Sequence, residues 1–270
     1  MTQSPIRLLL CDIDGTLVRR DKSLPQRNIA AIKDLTARGL PVSLISARPE
    51  PGILPIAAQL GLPGPFGAFN GGTVFGANGH HYAAHRLPAD LAKALLALYA
   101  QAKVTRWLFS GDQWLTTDLA DPHTPREIIS AGLQPRLVQD FTPWLAQADK
   151  IVAVCDDPAA MAELRRRARD FAAERANVVL SQDYYLDATA TLANKGDGAA
   201  QLAALYGVAL SQVAVIGDQA NDIAMFRRAG LAIAMGQAKP AVQAEAQFIA
   251  ASCEDAGVAD AIERFILPRL

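Results

Sequence analysis

Short apolar runs alternate with amphipathic stretches over residues 6–70. "IRLLLCDI" is a continuous apolar run of strand length, the pattern of a strand buried on both faces of a parallel sheet. "SLPQRNIAAIKDLTARG" follows, with Ile29, Ile32 and Leu35 at helical spacing, Ser23 as candidate N-cap and Gly39 as a stop. "LPVSLIS" predicts a second strand, "GILPIAAQLG" a shorter helix, and "FGAFNGG" a third strand with its turn. The order β-α-β-α-β implies right-handed crossovers, parallel strands and helices on both faces. The rhythm returns near the C-terminus, where "KGDGAAQLAALYG", "QVAVIGD", "DIAMFRRAG", "LAIAMG" and "AGVADAIERFI" predict helix, strand, helix, strand and helix.

Between these halves the texture changes. "RWLFS" and "WLTTD" flank a turn, "NVVLSQDYYLDA" predicts two more strands, and "AAMAELRRRARDFAAE" predicts a charged helix. The expected fold class is therefore α/β, with residues 1–83 and 189–270 forming one Rossmann-like parallel sheet core and residues 84–188 an inserted α+β cap domain. No repeat of fixed period interrupts this reading.

Four features fall at the C-terminal ends of predicted strands, where open α/β sheets build their sites. They are Asp12-Ile13-Asp14-Gly15-Thr16, Ser46, Lys195 at a helix start, and Gly217-Asp218-Gln219-Ala220-Asn221-Asp222. Residues i and i+2 of a strand share a face, so Asp12 and Asp14 repel unless a cation, a shared proton or hydrogen bonds compensate. Alone, such a pair is as readily a solvated acidic turn. With the other three features, a hard divalent cation such as Mg²⁺ and a phosphoryl group become a coherent reading, since Mg²⁺ takes oxygen ligands. Asp12 is then placed to attack phosphorus and Asp14 to pass a proton.

These motifs resemble, in order and gap, those of the haloacid dehalogenase-like superfamily of phosphohydrolases, most closely its Cof-type branch with a large α+β cap between the second and third motifs. Asn70-Gly71-Gly72 and the segment from "IAMGQAKP" onward are similar to that family as well. The resemblance implies Asp12 as nucleophile, Asp14 as general acid/base, and Ser46 and Lys195 as further catalytic groups. It implies phosphate contacts from Ile13, Gly15, Ser46, Ala47, Arg48, Asn70, Gly71, Lys195 and Asn221. It implies Mg²⁺ on Asp12, the Asp14 carbonyl and Asp218, with Asp222 holding a metal-bound water. The sequence departs at Ser46-Ala47-Arg48, where Thr-Gly-Arg is usual, at Gln219, where a small residue is usual, and at Gln237, where Asn is usual.

The implied activity is Mg²⁺-dependent hydrolysis of small phosphorylated metabolites, such as sugar or cofactor-type phosphates, through an aspartyl-phosphate. A sugar phosphomutase is the alternative, because the same intermediate can return its phosphoryl group to a sugar. A phospho-accepting receiver module fits less well, lacking both the Asp at i+2 and a cap of such size. Trp107, Trp114, Tyr184 and Tyr185 are expected as cap core or as pocket walls. His80 and His81 beside Asn78-Gly79 read as a solvated hairpin, and "LRRRARD" as a solvated helix face.

Composition narrows the partners rather than the chemistry. A net charge of -1 with 20% charged and 51% hydrophobic residues gives no electrostatic argument for nucleic acid or an anionic membrane. No apolar stretch is long enough to span a bilayer or act as a signal segment. Cys11, Cys155 and Cys253 lack metal or disulfide spacing, so a reducing cytoplasm is the expected compartment. Nothing in the pattern indicates an oligomeric state.

Overall fold

The computed structural model describes residues 5–270. Strands β1 (Leu8–Cys11) and β2 (Val42–Leu44) are linked by α1 (Gln26–Ala37), and α2 (Glu50–Leu60) leads to the hairpin strands β3 (Phe66–Ala68), β4 (Thr73–Phe75) and β5 (His81–Ala84). Next come α3 (Ala89–Gln101), β6 (Thr105–Ser110), β7 (Gln113–Thr116), α4 (Thr124–Ala131), β8 (Pro135–Leu137), β9 (Lys150–Val154), α5 (Pro158–Ala172), β10 (Ala176–Gln182) and β11 (Tyr185–Ala190). The chain closes with α6 (Lys195–Leu205), β12 (Val213–Gly217), α7 (Ile223–Phe226), β13 (Leu231–Ala234), α8 (Pro240–Gln243), β14 (Phe248–Ile249) and α9 (Gly257–Ala261).

The first sheet is wholly parallel, in the order β14-β13-β12-β1-β2. Its central strands are apolar on both sides and fully buried, as strands covered by helices on each face must be. Register sets the site: Cys11 pairs with Ile216 on one side and Leu44 on the other. The chain therefore leaves the sheet at one level with Asp12, Asp218 and Ser46, each just past a strand end.

Two local expectations change. Ser23 does not cap α1: Pro25 stands at the N-cap with no side-chain bond, and Ser23 instead bonds the Asp21 carboxylate through its N–H (2.9 Å) and hydroxyl (2.6 Å). A proline at the N-cap carries no side-chain oxygen, so it cannot accept from the first helical N–H groups. Among the described residues, the third strand touches the parallel sheet only through the Ile45–Gly67 bridge, because the chain reverses at once and pairs β3 with β4.

The second sheet, β10-β11-β9-β6-β7-β8, is antiparallel apart from the β7–β8 pair. Its strands alternate. Leu108, Ile151 and Leu186 point to α3 and α5, whereas Trp107, Phe109, Val152 and Tyr185 face the opposite side and join the core containing Phe69 and Ile53. Trp107 and Trp114 meet edge-on at 4.9 Å and are buried there. The aromatic face therefore anchors this sheet over the first one.

Helix α6 approaches the turn after β3 closely enough to demand two glycines. Gly71 has φ +85°, and a Cβ on Gly198 would lie 2.6 Å from its Cα and 2.9 Å from Ile45 Cδ1. Gly198→Ala should therefore destabilise the fold by ~1–3 kcal/mol through overpacking, against the ~1 kcal/mol gain that alanine ordinarily brings to a helix interior. Urea unfolding checks this: a lower midpoint with an unchanged slope is expected.

Candidate active site

The end of β1, the end of β12 and the first turn of α6 bring three carboxylates and one ammonium together. Lys195 Nζ lies 2.5 Å from Asp12 Oδ1 and 2.5 Å from Asp222 Oδ1, with the lysine only 1% exposed. One oxygen from each of Asp12, Asp218 and Asp222 falls within 4.8 Å of the others. Burial lifts the Asp12 carboxyl to about 7 even though Lys195 opposes it, and burial with Asp12 and Asp222 lifts Asp218 well above the usual range. Burial works against the Lys195 ammonium, but Asp12 and Asp222 outweigh it and hold its pKa high. One positive charge among three buried carboxylates leaves an excess of negative charge on oxygen donors alone, and that donor set fits a hard divalent cation.

Backbone constraints hold this cluster. Gly15 has φ +78°, and a Cβ there would fall 2.4 Å from Asp218 Oδ2, so only glycine lets the two loops meet. Thr16 Oγ1 donates to Asp218 Oδ1 (3.2 Å), while Asp222 Oδ2 accepts from the N–H groups of Asp218 and Gln219 (2.8 Å each). Gln237 donates to the Gly15 carbonyl (2.5 Å) and accepts from Cys253 N–H (3.0 Å), so the unusual glutamine braces the first motif. Gln219 lines the pocket.

Asp14 belongs to a different electrostatic environment two residues away. Arg48 grips it with two bonds, Nε to Oδ2 and Nη2 to Oδ1 at 2.7 Å each, and Lys22 Nζ adds a third at 2.5 Å. Burial alone would raise Asp14; Arg48 and then Lys22 overcome it and hold the carboxyl far below the usual range. Arg48, expected on phosphate, is thus engaged with Asp14, and its remaining Nη1 donates to the Gly52 carbonyl (3.1 Å). Lys22 was not indicated by the sequence, since nothing marks an isolated lysine in a turn.

Ser46 is buried on the pocket wall, its hydroxyl accepting from Arg48 N–H (3.3 Å). The backbone N–H groups of Ile13 and Ala47 take no backbone acceptor among the described residues. Asn221 reaches the pocket, and its Nδ2 donates to Asn70 Oδ1 (2.9 Å), leaving Asn221 Oδ1 and Asn70 Nδ2 buried without partners. Asn70 and Gly71, expected on phosphate, sit one layer behind: Asn70 N–H donates to the Ser46 carbonyl (2.7 Å), and Gly71 backs onto Gly198.

The second sheet closes the pocket from above with Arg126, Glu127 and Ser130 of α4, Lys150 of β9, Ser181 of β10, and Tyr184 and Tyr185. Lys150 Nζ donates across the gap to the Ala47 carbonyl (3.1 Å), lies 3.7 Å from Asp187, and sits 4.7 Å above the Phe109 ring. Arg126 likewise reaches the Arg20 carbonyl (3.0 Å). Of the aromatic candidates, Tyr184 and Tyr185 line the pocket, while Trp107 and Trp114 lie beneath its wall. Arg126, Glu127, Ser130, Lys150 and Ser181 escaped sequence reasoning, because only the tertiary fold turns these polar residues inward.

Glu127 titrates unusually. Burial pushes its carboxyl from 4.5 up to about 7, although Lys150 opposes the rise. A group whose pKa is raised on folding contributes stability that is present below about pH 4.5 and is lost as pH rises through about 7. Glu127→Gln removes that loss, so the variant should gain on wild type by ~2.5 kcal/mol between pH 5 and pH 8, at about 1.4 kcal/mol per pKa unit. Denaturant unfolding at the two pH values measures it; an equal difference at both would contradict the assignment.

Comparison with known proteins agrees with this geometry. A family profile for haloacid dehalogenase-like hydrolases matches residues 9–262. Among curated relatives, the chloroplastic endoribonuclease YBEY of Arabidopsis thaliana is 27% identical over 95% of this chain, which spans only 46% of that protein's length. The HMP-PP phosphatase of Serratia proteamaculans is 26% identical over 96% of this chain and 95% of its own. A crystal structure of a haloacid dehalogenase-like hydrolase from Bacteroides thetaiotaomicron superposes with a TM-score of 0.83 at 25% identity, covering 96% of this chain and 99% of that one. No helix among the described residues is long and apolar enough to cross a membrane. A parallel sheet that delivers Asp12, Ser46, Lys195 and Asp218 to one pocket, together with a profile match over nearly the whole length, places the chain in the haloacid dehalogenase-like hydrolase family.

Proposed function

We propose that the protein is a Mg²⁺-dependent phosphatase that hydrolyses small phosphorylated metabolites through an aspartyl-phosphate on Asp12. The observation that carries this reading is the separation of the two neighbouring aspartates. Asp12 shares Lys195 with Asp222 beside Asp218, while Asp14 is turned to Arg48 and Lys22 on the same pocket. Residues 1–83 and 189–270 are then the catalytic core, and residues 84–188 the cap that reads the leaving group.

Asp12 and Asp218, with the Asp14 carbonyl, would hold the cation, and Asp222 would reach it through water. When bound, Mg²⁺ supplies positive charge to the carboxylates and to a phosphoryl oxygen. Asp12 attacks phosphorus, forming the carboxyl O–P bond as the ester P–O bond breaks, and Asp14 gives its proton to the departing oxygen. Water then attacks the aspartyl-phosphate, Asp14 takes the water proton, and Asp12 is released with inorganic phosphate. Lys195 balances charge on Asp12 throughout. The Ser46 hydroxyl, the N–H groups of Ile13 and Ala47, and Asn221 hold the phosphoryl oxygens. An arriving phosphoryl anion competes with Asp14 for Lys22 and Arg48, which lets Asp14 take up the proton it must later deliver.

Phosphomutase activity has one feature in its favour. A second cleft adjoining Asp14 and Asp218 is lined by Arg19, Arg20 and Arg126, with Lys22 and Lys239 paired to Asp14 and Asp183, so its three arginines offer a place for another phosphoryl group on the substrate. Interconversion of hexose phosphate isomers against phosphate release separates the two outcomes. The activity named for the Serratia relative, HMP-PP phosphatase, is the first hydrolysis to assay.

Asp12→Asn should lower kcat by at least about 10³-fold with the fold intact, since an amide is a poor nucleophile and tenfold is only ~1.4 kcal/mol of barrier. Circular dichroism beside phosphate release checks both halves. Exhaustive chelation should abolish turnover, Mg²⁺ should restore it, and Ca²⁺ should not, because its longer and looser oxygen shell suits Asp12 and phosphorus poorly. Full activity after chelation would refute the metal requirement.

A further inference from the structure

Helix α4 is inverted. Three of its four buried positions, Thr124, Glu127 and Ser130, are polar and recur at a spacing of three, the fourth being Ala131, while Ile129 on another face is 63% exposed. Glu127 is 8% exposed, and its carboxylate forms no hydrogen bond or ion pair with any described residue. Its oxygens keep contact with the pocket rather than being sealed in the interior, so their bonding capacity is open toward whatever enters the pocket. A ligand that supplies the missing donors gives the arrangement a purpose.

The surroundings define that ligand. Glu127 opens onto the pocket with Ser130, Lys150, Ser181 and Tyr184. Its charge is felt by Asp14, Lys22, Lys150 and Asp187, and by Arg48 from the core side. Glu127 is thus near Asp14, the group that passes a proton to the departing oxygen, and faces substituents close to the ester. Raised to about 7, Glu127 keeps at least one acceptor oxygen in either protonation state, so it takes N–H or O–H groups, and its ionised form repels phosphate. Lys150 beside it disfavours a cationic leaving group, and Ser130 and Ser181 supply hydroxyls that can donate or accept.

We propose that Glu127 is the specificity-determining residue of this site, accepting a hydrogen bond from a neutral hydroxyl or amino group that the leaving group carries near its ester oxygen. The proposal rests on the phosphatase reading above. It makes a sugar or polyol phosphate, or an aminated aromatic alcohol phosphate, the substrate class, and it disfavours esters of bare hydrocarbon alcohols. Sites built to hydrogen-bond a substrate group reject the analogue lacking it far more strongly than apolar pockets reject a missing methylene.

The test compares paired esters with Mg²⁺: glucose 6-phosphate against cyclohexylmethyl phosphate, and 2-aminobenzyl phosphate against benzyl phosphate. Wild type should favour the donor-bearing member of at least one pair by 100-fold or more in kcat/KM, and the responsive pair distinguishes a hydroxyl from an amine. Glu127→Leu should shrink that ratio at least tenfold, and Glu127→Met, which keeps about the side chain's length without an oxygen acceptor, carries the test if the leucine variant does not fold. A ratio within threefold of wild type, or one common loss across all four esters, would overturn the proposal and leave Glu127 as a positioning group for Arg48. Absence of a 100-fold preference in both pairs of the wild type would overturn it as well. Hydrolysis of none of the four esters, nor of p-nitrophenyl phosphate, would overturn the phosphatase reading and this inference with it.

Discussion

One buried ammonium holds the site together. Lys195 lies between the carboxylates of Asp12 and Asp222, which leave the sheet on neighbouring strands β1 and β12, and without it their mutual repulsion would have no internal counterweight. Its position is set by the packing of α6 on the turn after β3, where Gly71 and Gly198 approach within a distance that no side chain tolerates. Strand register, helix packing and charge balance therefore converge on a single atom. Even so, one positive charge does not match three carboxylates, and the raised Asp12 and Asp218 record the deficit.

The same pocket keeps Asp14 in the opposite condition. Arg48 and Lys22 hold it strongly ionised two residues from a carboxylate that burial pushes up to about 7. Two residues of one loop thus differ in proton affinity because one faces the inner cluster and the other the pocket's cationic rim. In the resting site Asp14 is therefore ionised, and it can serve as an acid only once an incoming phosphoryl group draws Arg48 and Lys22 away from it. The upper wall adds a third environment, in which Lys150 ties the second sheet to the Ala47 carbonyl and Glu127 is left without a partner.

The parallel sheet was legible because its strands are uninterrupted apolar runs and because i, i+2 spacing puts Asp12 and Asp14 at one strand end. The family motifs likewise lie in linear order. What was not legible depends on tertiary placement. Helix α4 has eight residues, and its polar positions look like a solvent face until the fold buries them. Lys150 and Asp187 become neighbours only when β9 pairs with β11, a contact across 37 positions that no local pattern encodes. For Trp107 and Trp114 the sequence leaves cap core and pocket wall both open, and strand alternation places them in the aromatic core layer beneath the pocket. Arg48 has the right position for phosphate, yet the nearby Asp14 carboxylate offers two oxygens matched to its fork.

The central claim is that phosphorus becomes bonded to Asp12 and to no other carboxylate. Borohydride reduction during turnover of a good substrate converts an aspartyl-phosphate to homoserine, and peptide mass spectrometry locates it. The account predicts homoserine at position 12 alone, appearing only with substrate and Mg²⁺ present. Homoserine at position 14, 218 or 222, or turnover with no homoserine at any position, would contradict it.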